Sequence, residues 1–324
     1  MNASDLAGLV DYGASFGLLV LVQGLACLGL NLQWGQTGLF NVGVAGIMAL
    51  GAYASAILTA TAHPALIGGW GLPMAVGLLA AVILAAGASA LLGLLTMRLR
   101  ADFLAITTFG IAVIIDLVIR NTDVLTGGAL GLSFIPRPLD GLGLGAGATL
   151  RLTFLWAAVI VALVYVLLER CVASPWGRVL RALREDERAV AALGKSPRRY
   201  RLQAFALGGA LMGLAGALQA HTLGFISPDN FTPAVTFQIW AMLVIGGSGN
   251  NRGVLLGSVL VGALWSGTGW LNAAVLPAGL QAQGAALRIV LIGVLLTATI
   301  LWRPRGLLGE EVTVSRHLDE GGSG

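Results

Sequence analysis

Charged residues are scarce in this sequence of 324 residues. Asp, Glu, Lys and Arg make up 10% of the chain and apolar residues 57%, whereas soluble domains carry about 25% charged residues. A surface with so little charge cannot face water everywhere, so much of it must face hydrocarbon. Each bilayer span needs about 20 mostly apolar residues. The chain therefore has room for several spans but not for a large soluble domain as well.

Cysteine and histidine are also rare. The two cysteines, Cys27 and Cys171, lie far apart and give no disulfide framework. The three histidines, His63, His221 and His317, show no metal-ligand spacing, and no Gly-x-Ser-x-Gly nucleophile motif occurs. An integral membrane enzyme should show a cluster of titratable groups, so these absences argue against catalysis and against a metal or cofactor bound by the chain itself.

A basic N-terminal region is missing. The first residues contain Asp5 and Asp11 but no Lys or Arg, whereas a secretory signal begins with a basic stretch. We therefore expect a short acidic segment before a first permanent helix. The net charge is +4, but the basic residues cluster beside the apolar runs, where they set orientation in a lipid bilayer. The charge therefore does not indicate a nucleic-acid partner.

Apolar runs of span length follow one another and predict an all-α, polytopic transmembrane bundle. We count about nine spans, within a range of roughly eight to ten. Asn41 interrupts the second span, and Pro233 in the short seventh span suggests a tilted, broken or re-entrant segment. The predicted spans are residues 13–33, 38–60, 72–96, 103–121, 152–169, 203–223, 232–247, 254–271 and 285–302.

Lys and Arg are distributed unequally between the loops. With nine spans, 15 of the 19 basic residues fall on one side, which the positive-inside rule assigns to the cytoplasm. The N-terminus and the loop 122–151 are then outside, and the loop 170–202 and the C-terminus are inside. Residues 1–309 form one transmembrane domain. The cytoplasmic tail, 310–324, ends in Gly-Gly-Ser-Gly, which resembles an artificial linker.

The cytoplasmic loop has the pattern of a short amphipathic helix that ends at Gly194. Val179, Leu183, Val190 and Leu193 share one helical face. The helix could lie on anionic headgroups or dock on a cytoplasmic partner, with Leu183 and Val190 in a groove of that partner. Its acidic residues favour docking, because anionic lipid repels them. The docking candidates are Arg178, Leu183, Arg184, Glu185, Asp186, Glu187, Val190 and Gly194.

One phosphate-binding pattern is incomplete. Gly194-Lys195-Ser196 resembles the end of a phosphate-binding loop, but that motif needs a glycine where this chain has Ala189. No soluble strand is expected before it. The sequence therefore predicts no ATP site in this chain.

Polar residues inside the predicted spans are the remaining functional candidates. Asp116 and Arg120 lie four residues apart and can form a local ion pair near the outer interface. Buried acids are too few for a proton-coupled carrier, and no clear repeat with broken helices indicates another secondary carrier. The other polar residues could line a substrate pathway or form interhelical hydrogen bonds. They are Asn31, Gln36, Asn41, Thr107, Thr108 and Gln238.

Three blocks of sequence resemble the permease subunits of high-affinity branched-chain amino acid ABC transporters, in particular the LivM-like branch. The block Gly29–Tyr53 contains the run Phe-Asn-Val-Gly, and the block Arg98–Pro138 begins with RLRADFLAITTFG. The block Gly177–Gly247 contains ALREDE and GLAGAL. Together they cover most of residues 29–257 in the order of the family.

This resemblance implies two similar permeases in a bacterial inner membrane, two cytoplasmic subunits that bind ATP, and a periplasmic protein that delivers leucine, isoleucine or valine. It implies no ATPase site in this chain and assigns Arg178–Gly194 to contact with the ATPase. The chain departs from the family at Val44, where His is common, and at Ala112 or Val113, where Glu is common. A permease for urea or short amides, which belongs to the same family, therefore remains the alternative.

Overall fold

The computed structural model describes residues 3–62, 67–96, 101–140, 143, 145–275, 277 and 281–310. Over these residues the chain is helical, and its only β-pairing is an isolated bridge between Leu132 and Ile226. The predicted all-α bundle is thereby confirmed. Of the predicted tail 310–324 the structure describes only Glu310, and the remainder, together with His63 and His317, lies outside the described residues.

The described residues form long helices interrupted by short ones. Two short 3-10 helices also occur, at Gly128–Leu130 and Pro228–Phe231. The α-helices are α1 Ala3–Gln33, α2 Val44–Thr59, α3 Met74–Thr96, α4 Ala101–Asn121, α5 Asp123–Thr126, α6 Ala146–Ala173, α7 Pro175–Glu185, α8 Glu187–Ala192, α9 Pro197–Leu223, α10 Pro233–Gly246, α11 Asn251–Val275 and α12 Gln281–Trp302.

Every predicted span falls on one of these helices, although not all of them have the length of a full span. In the part of the chain that the structure describes, five helical segments are long and apolar enough to cross a membrane: Leu6–Gln33, Met74–Thr96, Asp102–Asn121, Ala146–Ala173 and Pro197–Leu223. Helix α2 and the apolar part of α12 are shorter, and α10, which was expected to be short, has 14 residues. A membrane bundle agrees with these helices, while the number of crossings stays a prediction.

Helix α9 is central to the packing and contacts α1, α2 and α3. A Cβ atom added to Gly209 would collide with the Ser89 side chain of α3, and one added to Gly51 of α2 would collide with the backbone of Gly213. Lipid tails are as apolar as the side chains, so membrane helices associate largely through such close packing of small residues. The glycines of α9 therefore let its neighbours approach closely.

Residues 34–43 leave the helical conformation between α1 and α2. Gly38 has φ of 75°, a left-handed conformation that glycine adopts readily. The Asn41 Oδ1 atom accepts a hydrogen bond of 2.7 Å from the backbone N–H of Gly43. The second helix therefore begins only at Val44, and not at residue 38 as the apolar pattern predicted.

Helix α9 connects two opposite ends of the bundle. Near its start, Arg201 forms an ion pair of 2.9 Å with Glu187 of α8. Near its end, His221 Nδ1 lies 2.8 Å from the carbonyl oxygen of Pro136, in the loop that contains α5. We call these the α8 end and the α5 end. The loops that were predicted to face the cytoplasm and the outside thus lie at different ends of the molecule.

Candidate functional site

The segment between α6 and α9 folds as two short helices, and not as the single helix that was predicted. Ser174 caps α7 by accepting a hydrogen bond of 3.2 Å from the backbone N–H of Trp176. Asp186 has an extended backbone and caps α8, with Oδ1 2.8 Å from the backbone nitrogen of Arg188 and 3.2 Å from that of Ala189. An aspartate in this position satisfies free N–H groups and starts a new helix.

The apolar face of α7 and α8 is covered by this chain. Leu183 is 2% exposed and Val190 3% exposed, and helix α9 contacts both α7 and α8. The expectation that these two side chains enter a partner's groove is therefore corrected. They fill the chain's own interior and hold the two short helices in position.

The face that remains open is mostly charged. Arg178, Glu185, Asp186 and Glu187 are exposed, and Leu193 is 79% exposed. The sequence pattern placed Leu193 on the buried face, but α8 ends at Ala192, so Leu193 leaves that face. An exposed leucine beside mixed charges offers an apolar contact with a polar rim, which is the usual composition of a protein interface.

Arg184 joins this segment to the rest of the α8 end. Its Nη1 donates a hydrogen bond to the carbonyl oxygen of Gly35, just after α1. Its Nη2 lies 2.6 Å from Glu310 Oε2 and 3.2 Å from Glu185 Oε1. Partial burial opposes the charged form, but the hydrogen bonds and charges of Glu310 and Glu185 outweigh it and raise the pKa of Arg184. The guanidinium therefore stays charged and links α7 to Gly35, just after α1, and to Glu310, in the segment after α12.

Amide side chains form a second link at the α8 end. Asn31 Oδ1 accepts a hydrogen bond of 2.8 Å from the backbone N–H of Gly249, and Asn31 Nδ2 donates one of 2.8 Å to Asn251 Oδ1. Gln36 Nε2 donates to the carbonyl oxygen of Gly249 at 2.6 Å, and Asn251 Nδ2 donates to Glu169 Oε1 at 3.1 Å. Asn31 thus connects α1 to the turn before α11, as the hydrogen-bonding interpretation expected.

Asn41 and Thr108 hold the segment 34–43 against its neighbours. Asn41 Nδ2 donates a hydrogen bond of 2.7 Å to Gln33 Oε1, and Thr108 Oγ1 accepts one of 3.0 Å from the backbone N–H of Val42. Asn41 and Thr108 are each 1% exposed. Their polar groups therefore bind to this chain, and not to an open channel.

Gln238 and Thr107 are the other two pathway candidates. Gln238 is 5% exposed, and its Nε2 donates a hydrogen bond of 3.0 Å to Gln23 Oε1 of α1. Thr107 is half-buried on α4. The structure distributes the six candidates over α1, α4, α10 and the segment between α1 and α2.

A cavity of about 770 Å³ lies at the α5 end. It is lined by Ala56 and Ile57 of α2, by Ala60 just after it, and by residues of α5 and the following loop. Leu130 and Phe134 also line it, and they are 85% and 74% exposed. None of the six pathway candidates lines this cavity. No local pattern could have indicated it, because α2 and the loop are distant in the chain.

His221 attaches the loop that contains α5 to the helix bundle at the α5 end. Its Nε2 lies 2.8 Å from Ser55 Oγ of α2 and its Nδ1 2.8 Å from the carbonyl oxygen of Pro136. The side chain is fully buried. Among the described residues no group of three or more His, Cys, Asp or Glu side chains could hold a metal ion. His221 is therefore a structural tie between α2, α9 and the loop.

The predicted ion pair of α4 is present and has a further partner. Arg120 Nε lies 2.8 Å from Asp116 Oδ2, and Arg120 Nη2 lies 2.8 Å from Asp229 Oδ1. Asp229 is 109 positions away from Arg120, so no local spacing could have indicated it. The cluster carries two carboxylates and one guanidinium near the α5 end.

Comparison with known proteins points to one family. The family of branched-chain amino acid transport system permease components matches residues 14–300. The chain is 35% identical over 323 residues to the high-affinity branched-chain amino acid transport system permease protein LivM of Escherichia coli (strain K12). This match covers 93% of this chain and 70% of that protein.

Two further relatives carry similar names. The LivM protein of Salmonella typhimurium (strain LT2) is also 35% identical, over 93% of this chain and 70% of its own length. A probable branched-chain amino acid transport permease protein LivM of Methanocaldococcus jannaschii is 29% identical over 317 residues. This match covers 95% of this chain and 88% of the relative. No solved structure matches the chain significantly.

Proposed function

Because this chain belongs to the family of branched-chain amino acid transport permease components, we propose that it is the membrane-spanning subunit of an ABC importer for leucine, isoleucine and valine. The match over residues 14–300 carries this proposal. The helical bundle and the low charge of 10% agree with a protein that lies in lipid. The importer would be located in a bacterial inner membrane as a multi-pass protein.

Partner proteins of this chain would supply ATP binding, the other half of the substrate pathway and delivery of the substrate. Separate cytoplasmic ATPase subunits bind ATP, since the only phosphate-loop-like run of this chain has Ala189 in place of a glycine. A second, homologous permease forms the other half of the pathway, and a periplasmic protein delivers the substrate. We propose two ATPase subunits, one for each permease.

The orientation follows from the basic residues. The α8 end faces the cytoplasm and the α5 end faces the periplasm, because 15 of the 19 Lys and Arg residues fall on the side of the α7–α8 segment. The position of the two loops at opposite ends of the bundle agrees with this orientation. The N-terminus is then periplasmic and the C-terminus cytoplasmic.

The α7–α8 segment is the proposed contact with the ATPase. Its open surface offers Leu193 as an apolar contact and Arg178, Glu185, Asp186 and Glu187 as a charged rim. In protein interfaces a few well-placed apolar or aromatic anchors dominate the binding energy, and rim charges contribute little. Leu183 and Val190 support this surface from inside, and Gly194, with φ of 75°, ends it.

Arg184 is the proposed route from that contact into the bundle. It binds the carbonyl oxygen of Gly35 and the carboxylate of Glu310, so a movement of α7 is passed to the segments that follow α1 and α12. Gly35 belongs to the segment 34–43, which Asn41 and Thr108 hold in place. We propose that Asn31, Asn41, Thr108 and Gln238 shape the substrate pathway indirectly, through their hydrogen bonds within the chain, and that the half-buried Thr107 faces it.

Uptake by the reconstituted importer tests the function. The chain is incorporated into liposomes with its second permease and its ATPases, and radiolabelled leucine, urea and acetamide are offered with the matching binding protein. We expect ATP-dependent uptake of leucine, with competition by isoleucine and valine. Uptake of urea or acetamide instead would support the alternative that the departures at Val44 and Ala112 or Val113 suggest. Uptake without ATP would indicate a secondary carrier.

A further inference from the structure

Three charged side chains meet at the α5 end. Arg120 is bound by Asp116 of its own helix and by Asp229 of the short 3-10 helix after α9, each at 2.8 Å. Asp116 and Arg120 are 29% and 30% exposed, and Asp229 is 74% exposed. The cluster thus combines a cationic fork with two carboxylates and is open on one side.

A buried hydroxyl group without a partner lies beside this cluster. Tyr53 of α2 is 3% exposed, and its hydroxyl group has no hydrogen-bond partner among the described residues. Its ring packs 6.4 Å from that of Phe231, which belongs to the same 3-10 helix as Asp229. Helix α2 also contacts α4, which carries Asp116 and Arg120, and the 3-10 helix Pro228–Phe231, which carries Asp229. A buried polar group that is left unpaired costs free energy, so such a group indicates a missing partner.

The chemistry of these four groups fits an amino acid zwitterion. Guanidinium and phenol hydroxyl donate hydrogen bonds to a carboxylate, and carboxylates accept them from an ammonium group. We propose that Tyr53, Asp116, Arg120 and Asp229 form a receiving site for the α-carboxylate and α-ammonium groups of the transported amino acid. The carboxylate binds Arg120 and the Tyr53 hydroxyl, and the ammonium group binds Asp229 and Asp116.

The side chain of the substrate would enter a cavity at the same end of the bundle. Ala56 and Ile57 follow Tyr53 on the same face of α2, at helical spacing, and both line the cavity of about 770 Å³. None of the four site residues is among its lining residues, so helix α2 connects the charged cluster to this space. An apolar cavity close to a few polar groups suits a branched-chain amino acid.

This inference rests on the proposed function, and leucine binding tests it. The assembled permease complex in detergent, without the binding protein, is titrated with tritiated leucine in a scintillation proximity assay. Tyr53→Phe removes only the hydroxyl group, which has no hydrogen-bond partner among the described residues, and we expect about tenfold weaker binding with unchanged thermal stability. Arg120→Gln should weaken binding about a hundredfold. Arg151→Gln is the control, because Arg151 forms a similar pair with Asp11 at 2.8 Å, and its leucine affinity should equal that of the wild type.

Two leucine analogues test the contacts separately. Isoamylamine lacks the carboxylate and 4-methylpentanoate lacks the ammonium group, so each should compete with leucine at least tenfold less well than isoleucine. Unchanged leucine affinity in both variants, or no leucine binding by the wild-type complex, would overturn the inference. Either result leaves the proposed function intact if the wild-type importer still shows ATP-dependent leucine uptake. Absence of that uptake would instead contradict the function itself.

Discussion

Arg184 Nη2 lies 2.6 Å from Glu310 Oε2, although the two residues are 126 positions apart in the chain. The pair connects the exposed α7–α8 segment to the chain just after α12. Both side chains are about one third exposed or less, so water screens the pair only in part. The same guanidinium donates a hydrogen bond to the carbonyl oxygen of Gly35, so this arginine connects α7 to the segment after α1 and to the segment after α12.

Loss of the contacts of Arg184 should reduce transport and leave ATPase binding unchanged. We expect Arg184→Gln to retain the ATPase subunits, because the contact surface of α7–α8 is unchanged, but to lower leucine uptake at least tenfold. Arg181→Gln, which removes a charge from α7 without touching the Gly35 or Glu310 link, is the control and should transport normally. Co-purification and uptake are measured on the same preparations. If Arg184→Gln transports at the wild-type rate, the link has no role in coupling.

Leu193 should be the apolar anchor of the ATPase contact. Leu193→Glu places a charge in an apolar contact, which is unfavourable because the charge loses its hydration without gaining a partner. We expect the ATPase to be lost during purification while the permease stays folded. Leu130→Glu is the matched control, since Leu130 is also highly exposed, at 85%, but lies at the α5 end. Retention of the ATPase by Leu193→Glu would argue that the segment lies on lipid headgroups.

Leu183 should behave differently from Leu193. Leu183 is 2% exposed within the chain, so Leu183→Asp introduces an unpaired charge into the interior and should lower the thermal stability of the permease. Any loss of the ATPase then follows from unfolding of α7–α8. Melting temperatures of the two variants distinguish the two effects: a reduced value is expected for Leu183→Asp only.

Cysteine labelling tests the orientation. Cys171 is exposed and Cys27 is buried, so Cys171 is first replaced by serine and single cysteines are then placed at Leu130 and Ala191. An impermeant maleimide added to intact cells should label the Leu130 position and not the Ala191 position. Labelling of both sites after the membrane is opened is the control for accessibility. The reverse pattern would contradict the proposed orientation.

The contact between α2 and α9 should be sensitive to a single methyl group. A Cβ atom at Gly51 would collide with the backbone of Gly213, so Gly51→Ala should destabilise the permease by about 1–3 kcal/mol through overpacking. Gly13→Ala adds the same atom to open space and should leave stability nearly unchanged. Thermal unfolding in detergent measures the difference, and equal melting temperatures would show that α2 can move away from α9 at no cost.

Much of the helical architecture could be predicted from the chain alone. The apolar runs indicated every long helix, because a helix in lipid must satisfy its backbone within one continuous segment. The Asp116–Arg120 pair was predictable because residues four positions apart are neighbours on a helix. The predicted start of α2 at residue 38 was wrong, because the Asn41 side chain competes with the helical backbone for hydrogen bonds at that point.

The sequence by itself determined the class of the protein: low charge and long apolar runs require a membrane bundle, and local motifs indicate the family. Only the tertiary structure decided which groups meet across the chain. Asp229 reaches Arg120 over 109 positions, and Glu310 reaches Arg184 over 126. It also decided that Leu183 is buried and Leu193 exposed, because the helix break at Asp186 and the cover from α9 depend on how distant segments pack. Periodicity reports the face of one helix and carries no information about what covers that face.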